Sequence, residues 1–136
     1  AGAGAGVCTR EHFGQLVCVA LEGRGPAVLS AVRHAVQAIV ARLPAMLRSK
    51  WVMTNDQGKT WLQIDTVASS VTEEEFSCGA SEVFLEANCV LVFQCAPPDL
   101  ERDLHTLTSL FVKKTGMRMK PPDFAGRGSS PNPPLL

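Results

Sequence analysis

At 136 residues, with 46% hydrophobic side chains, the chain has the size and composition of one globular domain and no room for two well-packed ones. Its 13 basic and 13 acidic residues cancel to a net charge of zero, which does not demand a polyanionic partner. The longest apolar-rich stretch, Ala35 to Leu47, is interrupted by Gln37, Arg42 and Pro44 and is too short and too polar to span a bilayer.

The N-terminal "AGAGAG" is low in complexity, lacks the charged start and apolar run of a secretion signal, and reads as a flexible tail over residues 1–8. A single α+β domain is expected over 9–118. The first element is "QLVCVAL", Gln15 to Leu21, whose unbroken apolar run suggests a strand covered on both faces. "EGRG" turns the chain, and Pro26 suits the first turn of a helix. From Ala27 to Leu43, residues Leu29, Val32, Val36, Ile39, Val40 and Leu43 recur on one helical face, with Ser30, Arg33, His34, Gln37 and Arg42 on the other. Pro44 ends that helix.

Two β-rich segments follow, "KWVMT" and "TWLQID", joined by the polar "NDQGK" in the layout of a hairpin. "TVASSVTEEEFSCGAS" has no clear period and reads as strand, loop or both. "SEVFLEA" and "NCVLVFQC" read as a second hairpin around Ala87-Asn88. The last element, "PPDLERDLHTLTSLFVKKTG", is a helix. Asp99 caps its start, Leu100, Leu104, Leu107 and Phe111 recur at helical spacing, Lys113 and Lys114 complement its dipole, and Gly116 stops it. Residues 119–136 are rich in proline and glycine and read as a disordered tail. The order β-α-β-β-β-β-α predicts a mostly antiparallel sheet of four to five strands with two amphipathic helices on one face.

Gly58-Lys59-Thr60 ends like a phosphate-binding loop, but that loop needs a glycine five residues earlier and a helix afterwards. Met53 holds the first position and a strand pattern follows Thr60, so both conditions fail. The five cysteines, Cys8, Cys18, Cys78, Cys89 and Cys95, show no metal or redox spacing. Cys18, Cys89 and Cys95 read as reduced thiols inside strands. His12, His34 and His105 are scattered, and no motif sets a cysteine beside one of them. The expectation is therefore no catalytic residue, no cofactor and no metal. An enzyme, if there is one, would centre on Cys78 or Asp65.

Two surfaces remain. Lys113, Lys114, Arg118 and Lys120 form a basic run that suits phosphates, with Arg33, Arg42, Arg48 and Lys50 as further cations. Trp51 and Trp61 flank the first hairpin loop and would mark an interface if either indole is exposed. The preferred expectation is a non-enzymatic protein–protein interaction domain, a small subunit or adaptor of an intracellular complex, cytoplasmic or nuclear, partnered by another protein. The alternatives are a nucleic-acid-binding subunit using the basic run and a small enzyme with a cysteine-centred site. The partner-binding candidates are Trp51, Trp61, Lys113, Lys114, Arg118 and Lys120.

Overall fold

The computed structural model describes residues 15–55, 61–76, 82–95, 97–120 and 123–124. In chain order the elements are β1 (Gln15–Val28), α1 (Leu29–Arg42), β2 (Met46–Thr54), β3 (Trp61–Val67), β4 (Ser70–Phe76), β5 (Val83–Cys95), α2 (Pro97–Thr115), β6 (Arg118–Met119) and β7 (Asp123–Phe124). The fold is α+β. Six strands form an antiparallel sheet in the order β4-β3-β2-β5-β1-β6, and the short β7 also pairs with β1.

Both helices lie on one face of this sheet. The apolar stripe of α1, Leu29, Val32, Ala35, Val36 and Ile39, is buried, as are Leu100, Leu104, Leu107 and Phe111 of α2. These stripes meet the inward positions of the strands: Val19 and Leu21, Trp51 and Met53, Leu62 and Ile64, Cys89, Leu91 and Phe93. The rings of Trp51 and Phe111 stack with centroids 5.2 Å apart, which docks the end of α2 on β2. Trp51 Nε1 donates to Ser49 Oγ at 2.9 Å, and Ser49 Oγ shares a hydrogen bond with Thr66 Oγ1. Every polar group of this buried trio therefore has a partner within the core.

Two expectations about elements are corrected, and one open stretch is resolved. The two segments of the supposed second hairpin are one continuous strand, β5, whose alternation runs through Ala87 and Asn88; Asn88 is its outward-facing position rather than a turn residue. The ambiguous stretch supplies the missing strand instead. β4 returns along β3 after a tight turn at Ala68, whose φ of 54° is left-handed, and its glutamates sit on the sheet edge where charge discourages further pairing. Finally, β1 is not covered on both faces, because Leu16 and Cys18 are exposed. It also runs past Leu21 to Val28 through an irregularity at Gly25 and Pro26. Gly25, at φ 119°, lets the chain after α2 pass with Met117 Cα only 3.7 Å from where a Cβ would stand.

Candidate functional site

The face of the sheet away from the helices carries no element among the described residues. Because side chains alternate along a strand, register alone fixes what shares it. Lys50 of β2 stands between Asp65 of β3 and Val90 of β5, with Ala20 of β1 beyond. One step along, Arg48 stands between Val67 and Val92, with Cys18 beyond. In the other direction Val52 stands between Gln63 and Asn88.

Arg48, Lys50, Gln63, Asp65, Val90 and Val92 line a shallow groove of about 530 Å³. Its floor on β2 is cationic, its β3 wall polar and its β5 wall apolar. Val90 is 46% exposed and Val67 52%, far more than a strand needs to leave uncovered. Arg48 and Lys50 take part in none of the ion pairs formed among the described residues. Asp65 faces Lys50 in register, yet it accepts from Gln63 Nε2 at 3.0 Å.

A second groove, of about 590 Å³, lies where α1 ends and α2 begins, lined by Arg42, Gln94, Cys95, Asp99, Arg102 and Asp103 among others. Of its charged groups, Arg102 is paired to Asp99 at 3.1 Å, while Arg42 and Asp103 enter no ion pair among the described residues. The Cys95 thiol is pushed up by burial and then by the nearby Asp103 and Asp99 carboxylates, so it is a poor nucleophile. Among the described residues no group of three or more His, Cys, Asp or Glu could hold a metal ion.

The residues singled out from sequence do not converge. Trp51 is fully buried and is core scaffolding, with no surface to offer a partner. Trp61 is half-buried at the start of β3. Lys113 and Lys114 sit in the last turn of α2, on the helical layer. Arg118 pairs in register with Arg24, whose side chain reaches Glu86 across the open face, so Arg118 belongs to the opposite side. Lys120 is bound to Glu22 at 3.1 Å. The basic run is thus split by the sheet. Arg33 is engaged by Glu73 at 2.9 Å on the covered face. Cys78 and Gly58, Lys59 and Thr60 lie outside the described residues, while β2 and β3 pair as the expected hairpin on either side of that loop.

Sequence reasoning raised Arg48, Lys50 and Asp65 only in passing and missed their conjunction with Gln63. The signal that finds it is period two along two paired strands, Arg48-x-Lys50 on one and Gln63-x-Asp65 on the other.

Neither a protein-family model nor a curated protein matches the chain. Among solved structures it is similar to Zn(II)-bound YjiA GTPase from E. coli, at 14% identity and a TM-score of 0.45, and to a Zn(II)-bound triple mutant of YjiA GTPase, at 16% identity and 0.46. Each likeness covers 68% of this chain and 29% of the other, so the chain spans under a third of the proteins it resembles. Those neighbours are structures of a GTPase, and the expectation of a non-enzymatic interaction domain or adaptor is withdrawn on that finding. The expectation rested on a lack of chemistry along the sequence, whereas the groove draws its polar groups from separate strands, which no linear motif displays. At these TM-scores the likeness transfers no activity or ligand to this chain.

No helix among the described residues is long and apolar enough to cross a membrane.

Proposed function

We propose that this chain binds a phosphorylated small molecule of the nucleotide class in the groove on the sheet face opposite its helices. The observation that supports this most is the pair Arg48 and Lys50, two neighbouring cations that no carboxylate of the described residues neutralises. Two like charges held on one strand face repel each other, and a bound phosphate would offset that cost through charge-assisted hydrogen bonds. Val90, 46% exposed, and the partly buried Val92 offer an apolar surface to the flat face of a base. The groove volume falls in the range of small-molecule sites, roughly 300–1,000 Å³.

A nucleic-acid strand is the less supported occupant. The basic run that would track it is divided between the two faces of the sheet, and Glu22 and Glu86 interrupt the path from Lys50 toward Arg118. A nucleotide-class ligand and the free thiols of Cys18, Cys89 and Cys95 both suit an intracellular setting.

Calorimetric titration with ATP, GTP and inorganic tripolyphosphate tests the reading. Saturable binding is expected, weakened about tenfold or more in an Arg48→Ala/Lys50→Ala variant whose thermal midpoint matches the parent, because a hydrogen bond to a charged group contributes about 1.5–3 kcal/mol. No binding of any phosphorylated probe would overturn it, as would undiminished binding in the double variant.

A further inference from the structure

A carboxylate beside two phosphate-seeking cations is a liability unless it has its own role, and Asp65 holds that position. In the β2–β3 register it stands directly across from Lys50. Opposite charges so placed ordinarily pair. Here Asp65 Oδ2 instead accepts from Gln63 Nε2 at 3.0 Å, and Lys50 forms no ion pair among the described residues. Gln63 therefore does two things at once. It holds the carboxylate against its own strand, and it leaves Lys50 available. The second carboxylate oxygen, Oδ1, enters no hydrogen bond among the described residues and belongs to a side chain that lines the groove.

We propose that Asp65, positioned by Gln63, accepts hydrogen bonds from the vicinal hydroxyls of the ligand's sugar, so that the groove selects ribonucleotides over their deoxy counterparts. The inference rests on the phosphate-binding reading of the same groove. A carboxylate is the natural reader of a diol, since its two oxygens accept from two hydroxyls without bringing a competing donor. The geometry orders the ligand: phosphates over Arg48 and Lys50, sugar against Asp65, and base on Val90 and Val92. Gln63 is a positioning residue. Its removal frees Asp65 to swing onto Lys50 and neutralise it.

The test measures dissociation constants of ATP and GTP, of their 2′-deoxy forms and of tripolyphosphate, for the parent chain and for Asp65→Ala and Gln63→Ala. The parent should favour the ribo forms by about tenfold, the scale of one hydrogen bond to a charged group. Asp65→Ala should abolish that ratio while leaving tripolyphosphate affinity equal or higher, since a negative charge has gone. Gln63→Ala should weaken tripolyphosphate as well, a readout that a merely structural role would not move. Equal affinity for ribo and deoxy forms overturns the sugar assignment, and so does a ribo preference that survives Asp65→Ala. If Arg48→Ala/Lys50→Ala still weakens binding in either case, the phosphate site stands without it. If no nucleotide or polyphosphate binds the parent, both fall together.

Discussion

The two faces of one strand, β2, treat polar side chains in opposite ways. On the covered face Ser49, Trp51 and Met53 follow one another at period two, and the hydrogen-bonding groups there are satisfied: Trp51 Nε1 by Ser49, Ser49 by Thr66. The partly buried Arg33 of α1 is matched as well, by Glu73 of β4. On the uncovered face Arg48 and Lys50 alternate with the same residues and are matched by nothing among those described. Burial makes an unpartnered polar group expensive, so the covered face had to complete its pairs for the fold to form. The open face was under no such constraint. Its unmatched groups are the ones left free to meet a ligand, and substitutions on the two faces should therefore separate stability from binding.

The largest effect is expected at Phe111. Its ring stacks on Trp51 at 5.2 Å, and no part of either side chain reaches solvent. Phe111→Ala should cost about 3–5 kcal/mol through lost burial and the cavity left under α2. The measurement is a denaturant midpoint at unchanged slope, with ligand affinity of the folded fraction preserved. A loss below about 1 kcal/mol would mean that α2 collapses into the space, and that the two faces are less independent than their register implies. Ser49→Ala comes next, at about 1–3 kcal/mol, because it strands Trp51 Nε1 and Thr66 Oγ1 in the core. Its neighbour Lys50, changed to Ala, should shift stability by no more than about 0.5 kcal/mol. If Ser49→Ala proves as mild, water reaches the trio and the covered face is wetter than its burial suggests.

What the sequence makes legible follows the same division. The helices were readable because three-to-four spacing of Leu29, Val32, Val36 and Ile39, and of Leu100, Leu104, Leu107 and Phe111, has one structural meaning over that many residues. The fold class followed from them. Strand boundaries were harder: Asn88 resembles a turn residue, yet in β5 it is an outward position between Val52 and Glu22. β4 was obscured because its glutamates depress strand propensity, and only its place at the sheet edge makes them tolerable. The basic run over Lys113 to Lys120 is contiguous in sequence but straddles the sheet, so proximity along the chain misled. The groove shows the converse. Lys50 and Asp65 are fifteen positions apart and become cross-strand neighbours only once the hairpin register is known.

The smallest effect extends the comparison to thiols. Cys18 and Cys89 lie on adjacent strands, but Cys18 is exposed on the open face while Cys89 packs under the helices opposite Leu21 and Trp51. Burial pushes the Cys89 thiol well up from its usual 9.0, and a hydrogen bond with the Leu21 backbone only partly offsets this. At mild alkaline pH an alkylating reagent should label Cys18 readily and Cys89 only through opening of the sheet, with peptide mass spectrometry reading the two rates. The raised thiol also sets a direction with pH. Above about 9.0 the unfolded chain releases the Cys89 proton while the folded chain keeps it, so the unfolded state binds fewer protons and stability falls as pH rises. Below that value Cys89 contributes no slope. Cys89→Ala should therefore flatten the alkaline limb of the denaturation midpoint relative to the parent. Equal labelling of the two thiols would mean that the helical layer opens on the time scale of the reagent, and the covered face would then not be the rigid partner that holds the groove's register.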